Sequence, residues 1–183
     1  MKQLKLFGMA IIITIMATFG QGELTGIQNA VASDWKTLEQ NGYSIKYPDS
    51  FELAPGGPEE FKFMLLSKKS IRGNEIEESI NLTTDDLTGI NVSLGDYGKL
   101  FEKKLNKMID DLKIIESGIA KNKGQEFYRI VFTGKQELLS FRSEQRIMIK
   151  NGIAYILTLT RDANPRNSYD NSGVEIMDSF EIK

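Results

Sequence analysis

Lys99, Lys103 and Lys107 stand four residues apart, with Lys104 beside them. On a helix that spacing lines them along one side. Such a stripe suits an acidic protein surface or lipid head groups. Glu102 and Asp110 dilute it, and a charge run of this kind most often forms a solvated face. Oxygen ligands gather at Asp85-Asp86 and in the loop from Arg161 to Asn171, where Asp162, Asn164, Asn167, Ser168, Asp170 and Asn171 fall close together. Hard oxygens of this type hold Ca²⁺. The loop lacks the sixth-position glycine and closing glutamate of an EF-hand, and Asx and Pro residues are what turns use for backbone reasons, so a structural turn is favoured and no metal is expected. Gly95-x-x-Gly98 lacks the lysine and the serine or threonine of a phosphate loop.

The chain contains no histidine and no cysteine. A Ser-His-Asp triad, a thiol nucleophile and an ordinary zinc or copper site are thereby excluded. A Ser–Lys dyad or a carboxylate pair stays formally open, but no spacing selects one. The reading is a non-enzyme with no catalytic residue and no cofactor.

The elements that must position these residues are mostly strands. Gln125–Thr133 is dense in aromatic and β-branched residues, and Gln145–Lys150 and Ile153–Thr160 flank Asn151-Gly152, a strong hairpin signal. Tyr128, Ile130 and Phe132 share one face, as do Ile147 and Ile149, and Tyr155, Leu157 and Leu159. Earlier strands are expected over Gly42–Pro48, Phe51–Leu53, Glu60–Ser67 and Ser79–Thr84, with a turn-rich break at Ala54–Pro58 and a charged loop over 68–78. Ser33–Asn41 reads as a polar lead-in. One clear helix spans Asp96–Leu112, where Tyr97, Leu100, Phe101, Leu105, Met108, Ile109 and Leu112 form an apolar stripe. Ser93 and Asp96 fit a capping box at its start. Lys113–Lys121 follows as a strand, turning at Asn122-Lys123-Gly124. Val174, Met177 and Phe180 suggest a short terminal helix running into an extended Phe180-Glu181-Ile182. The order predicts an α+β fold, an antiparallel β-sheet flanked by helices.

The start of the chain bears on compartment. Lys2 and Lys5 precede a 14-residue apolar run, Leu6–Phe19, too short for a span of ~20 residues. Ala30-Val31-Ala32 follows as a cut site, so residues 1–32 read as an export signal and 33–183 as a single domain; an uncleaved anchor is the alternative. Removal of 1–32 leaves 151 residues and takes two lysines and one glutamate, moving the net charge from −2 to −3. That length carries one real core. The acidic balance argues against a nucleic-acid partner. Without cysteine the protein is not a lipoprotein; it is expected to be periplasmic or secreted.

Short pieces in order along the mature chain resemble the PsbP-like superfamily and its bacterial DcrB-like branch. Gly42-Tyr43-Ser44-Ile45-Lys46-Tyr47-Pro48 matches the opening strand, Ser79-Ile80-Asn81-Leu82 the strand before the helix, and Ser93-Leu94-Gly95-Asp96-Tyr97 the helix entry. The stretch from Asn122 to Val131, the hairpin Asn151–Thr158 and the ending Met177–Ile182 match as well. The resemblance implies an α-β-α sandwich on the outer side of a bacterial or thylakoid membrane. It implies a binding or assembly factor, since members include photosystem II accessory proteins, envelope proteins needed for phage entry, lipid-associated proteins and a nuclear Ran-binding protein. Metal-binding histidines of photosynthetic relatives have no counterpart here.

Two kinds of function follow. One is an exported accessory module that holds an envelope protein partner through a sheet edge, the loops or the helix face at Lys99, Lys103 and Lys107. The other is a small lipid carrier with an apolar pocket at Phe101, Leu105, Met108 and Tyr128. An internal cavity distinguishes them.

Overall fold

The computed structural model describes residues 34–54, 61–68, 76–164 and 170–183. The leader at 1–32 and its cut site lie outside the described residues, as do Pro55–Pro58 and Glu60, residues 69–75 of the charged loop, and residues 165–169 of the Asx-rich loop.

Ten strands and two helices are present among them: β1 (Trp35–Gln40), β2 (Tyr43–Pro48), β3 (Phe51–Leu53), β4 (Phe63–Ser67), β5 (Ser79–Asp86), α1 (Leu94–Met108), β6 (Asp110–Asn122), β7 (Gln125–Gln136), β8 (Leu139–Lys150), β9 (Ile153–Asp162), α2 (Ser172–Asp178) and β10 (Glu181–Ile182). A seven-stranded sheet runs β3-β4-β5-β9-β8-β7-β6, and a three-stranded sheet runs β1-β2-β10. Every pairing is antiparallel. The expected β7–β8–β9 centre is there, and both Asn151 and Gly152 take positive φ, 52° and 73°, as a type I′ turn requires.

Alternation splits the interior into two layers on opposite faces of the large sheet. Phe127, Met148, Tyr155, Leu157 and Leu159 pack against the small sheet through Tyr43 and Ile45 and against α2 through Ile176 and Met177. Tyr128, Ile130, Phe132, Ile147 and Ile156 pack beneath α1 through Tyr97, Phe101 and Leu105. The Ser93 hydroxyl accepts the Asp96 N–H at 3.1 Å and donates to its carboxylate at 2.7 Å, so the cap forms as the sequence indicates.

Several boundaries differ from the sequence reading, three of them by more than a few residues or in kind. The helix stops at Met108 rather than Leu112: Ile109 is already extended at φ −117°, and Asp111 takes a positive φ of 51°. Ile109 and Leu112 still reach the α1 layer, but from the chain leaving the helix. Leu100 and Met108 fall off the stripe and are exposed. Trp35–Gln40 is a strand rather than a lead-in; it pairs with β2 across Asn41-Gly42 and buries little, so no alternation marks it. β7 and β8 run on to a hairpin tip at Glu137-Leu138, where Leu138 is 94% exposed.

Candidate functional site

The strand register sets Arg129 of β7 directly opposite Arg146 of β8. Two like charges facing across a ladder repel, and Glu144, two residues from Arg146 on the same face, resolves this by bridging them. One Glu144 oxygen accepts from Arg129 Nη2 at 2.8 Å and the other from Arg146 Nε at 2.8 Å. Arg129 Nη1 donates onward to Glu116 at 2.6 Å, and Arg146 Nη1 to Asp178 at 2.5 Å. Five charges of alternating sign thus cross from the β6 edge to α2. Burial works to raise the Glu144 carboxyl, but the hydrogen bonds from Arg129 and Arg146 outweigh it and hold the group below its ordinary range. The Arg146 side chain is only 9% exposed, and its guanidinium lies 5.1 Å from the Phe127 ring centre.

Arg146 stands in a groove of about 630 Å³. Phe127, Met148 and Leu157 of the large sheet line one side, and Asp178, Phe180 and Ile182 of the α2–β10 segment line the other. This volume lies in the range of small-molecule and peptide pockets. The far wall is fastened by Ser179, whose hydroxyl accepts the Lys46 N–H at 2.8 Å and lies 2.7 Å from the Ile176 carbonyl. Two lysines span the groove's ends. Lys123, in the β6–β7 turn, donates to the Asp178 carbonyl at 3.2 Å, and Lys150 donates to the Ile182 carbonyl at 2.9 Å. Both act as ammonium donors to main chain.

The residues singled out in the sequence lie elsewhere. Lys99, Lys103 and Lys107 are exposed on the side of α1 turned away from the sheet, and α1 covers the face opposite to α2. Phe101 and Leu105 are fully buried and Tyr128 nearly so, whereas Met108 is 54% exposed. Met108 therefore stands apart from the other three, which share the interior beneath α1. Gly98 rests against the Tyr128 ring, and the Tyr128 hydroxyl donates to Glu102 at 2.7 Å. The Asx positions serve turns: Asp86 accepts the Thr88 N–H, Asp162 that of Asn164, and Asp170 that of Ser172, at 2.8, 2.8 and 3.0 Å. Among the described residues no group of three or more acidic side chains is placed to hold a metal ion. No helix among them is long and apolar enough to cross a membrane.

Sequence reasoning missed the five-charge chain, and it read Asp85 as a loop oxygen ligand where β5 buries it. Asp85 accepts the Tyr97 hydroxyl at 2.5 Å, and its other oxygen is buried without a partner. The one available signal for the chain was Glu144 and Arg146, two apart in a strand and so on one face.

The sequence matches no family profile and no curated protein. Solved structures do match. The chain is similar to cyanobacterial PsbP from Synechocystis sp. PCC 6803, at 13% identity and a TM-score of 0.56 over 88% of this chain and 100% of that one. It is similar to the Ran-binding protein Mog1p of Saccharomyces cerevisiae, at 10% identity and a TM-score of 0.57 over 82% and 96%. A Bacteroides thetaiotaomicron protein aligns with 77% of this chain at 16% identity and a TM-score of 0.50, and this chain spans 45% of that protein's length. At such identities what is shared is the fold. The chain has the PsbP-like fold, an α+β sandwich of antiparallel sheet and helices.

Proposed function

We propose that the protein is an exported, non-catalytic accessory protein that acts on the outer side of the cytoplasmic membrane and holds an envelope protein in the groove beside Arg146. The observation that carries this reading is the groove itself. Its charged groups are oriented by one another and by main chain, and none is arranged as a nucleophile with a base. The leader-like start of the sequence supports export. The PsbP-like fold supports a binding role by analogy, since the yeast protein of this fold is a Ran-binding protein. Phe101, Leu105 and Tyr128 occupy the helix–sheet interior with side chains, which favours the partner reading over a lipid carrier.

Photo-crosslinking in living cells tests it, with a photoreactive residue at Gln125 in the groove or at Lys103 on α1. The expected result is a discrete protein adduct from Gln125, absent from Lys103, in the envelope fraction. Adducts from Lys103 alone would move the binding face to the helix. A stoichiometric lipid in native mass spectra, with no protein adduct from either position, would replace the partner by a lipid.

A further inference from the structure

Folding draws away the acids that dilute the lysine stripe of α1 in the sequence. Glu102 turns to the sheet and accepts the Tyr128 hydroxyl at 2.7 Å. Asp96 is held at the N-cap by the Ser93 hydroxyl at 2.7 Å, and Asp110 lies beyond the helix in β6, in register with Lys135. From Lys99 to Met108 the solvent face of the helix therefore carries cations and no carboxylate. Lys99, Lys103 and Lys107 are exposed, and among the described residues none of the three has an ion-pair partner. Lys104 beside them is half-buried and also acts on the Asp85 carboxyl. Two exposed apolar side chains border the same cations. Leu100, Lys103, Lys104, Lys107 and Met108 stand at i, i+3, i+4, i+7 and i+8, the spacing of one helix face. Leu100 is 41% exposed and Met108 54%, about 12 Å apart along the axis.

We infer that this face of α1 rests on an anionic lipid surface, with the lysines at the phosphates and Leu100 and Met108 entering the head-group layer. The face is the outer side of a helix, not a cleft. Its cations are lysines, point charges on flexible stems that lack the planar fork by which arginine fixes an anion in one geometry. Among the described residues no hydrogen bond braces the Lys99, Lys103 or Lys107 ammonium. Unbraced ammonium groups suit a fluid surface whose phosphates move to meet them, more than a protein surface with fixed carboxylates. The exported chain is acidic, with a net charge of −3 even counting these lysines, so an anionic bilayer repels its other faces and selects this one. The helices α1 and α2 lie on opposite faces of the large sheet. Docking through α1 leaves the groove beside Arg146 turned away from the bilayer, and it stands independently of what the groove holds.

The test is co-sedimentation of the purified exported protein with vesicles of phosphatidylcholine, alone or mixed equally with phosphatidylglycerol. Binding is expected to the mixed vesicles only, and is expected to be lost in about 1 M salt, where the screening length falls to about 3 Å. Lys99→Glu/Lys103→Glu/Lys107→Glu should lower the partition at least about tenfold, since each lysine near the surface is worth about fivefold. Lys123→Glu/Lys150→Glu in the groove should leave it within about twofold. The three α1 lysines are exposed, so the triple variant should fold; if it does not, Lys99→Gln/Lys103→Gln/Lys107→Gln carries the same comparison. The chain has no cysteine, so a polarity-sensitive dye on Met108→Cys reports one site. Its emission should shift to the blue on the mixed vesicles, while that of Trp35, in the small sheet on the opposite layer, should not move. Equal binding to the neutral vesicles, no binding to either kind, a partition indifferent to the three lysines or an unshifted dye would each overturn lipid docking. Binding to soluble polyglutamate without binding to vesicles would replace the bilayer by an acidic protein.

Discussion

A Cβ built on Gly98 would lie 2.3 Å from Cγ of Tyr128, so α1 and the large sheet meet through a glycine and the root of an aromatic ring. That contact sets how closely the helix approaches β7. It also gives Tyr128 the position from which its hydroxyl reaches Glu102, one turn further along the helix.

Gly98→Ala tests the contact. In an open helix the change would stabilise by about 1 kcal/mol through propensity. Here the methyl meets the fixed end of a buried ring, and overpacking of this kind costs about 1–3 kcal/mol. The expected net is a loss of about 1 kcal/mol, or roughly 2–4 °C in Tm for a domain of this size. Thermal unfolding followed by circular dichroism measures it, and a rise in Tm would mean the helix stands off further than this packing allows.

Two buried carboxylates pull the pH dependence in opposite directions. Burial raises the Asp85 carboxyl, against the Tyr97 hydrogen bond and the Lys104 charge that lower it. A raised folded-state value means the stability it contributes is fully present below the unfolded value of 3.8 and is lost as pH rises through the folded one. Glu144 is lowered, so its contribution is present above 4.5 and is lost as pH falls through the folded value. Asp85→Asn keeps an acceptor for Tyr97, and urea unfolding should show it gaining on the parent at pH 7 relative to pH 4. Glu144→Gln should do the reverse, losing most at pH 7 and least in acid. Parallel pH profiles for the two variants would contradict the opposite assignments.

If Ala30-Val31-Ala32 is the cut site, the exported protein begins at Ser33. Intact mass and N-terminal sequencing of protein from the envelope fraction decide this. A mass that includes residues 1–32 would indicate a retained anchor, with the groove held near the membrane surface.

Much of the fold was legible because alternate residues of the central strands feed one of two buried layers. Tyr128, Ile130 and Phe132 alternate, and Asn151-Gly152 closes a hairpin for local backbone reasons that need no partner. The same dipeptide at Asn41-Gly42 closes β1 onto β2, yet Trp35–Gln40 carries no alternation because this edge strand lies largely in solvent. The helix end was misplaced because Ile109 and Leu112 keep helical spacing while packing from the strand that follows. The groove was illegible for a different reason. Phe127, Arg146, Asp178 and Ile182 come from four elements, and only the β7–β8 register and the docking of α2 bring them together. A lone arginine in a strand reads as a solvent-facing residue until the register places another arginine opposite it.

Docking of α2 depends on Gly173. A Cβ there would lie 2.2 Å from the Glu78 carboxylate, 2.7 Å from Arg161 Nη2 and 3.0 Å from Leu159. Glu78 is 5% exposed and pairs with Arg161 at 2.5 Å, so neither can withdraw without leaving a buried charge poorly paired. Gly173→Ala should therefore destabilise by about 1–3 kcal/mol despite its better helix propensity. Because α2 leads into Asp178 and β10, displacing its first turn should also loosen the far wall of the groove. Faster exchange of the Ile182 amide in Gly173→Ala than in Gly98→Ala, at matched loss of Tm, would tie the effect to α2. Equal exchange in the two variants would show that the groove wall is held by Ser179 and Lys46 alone.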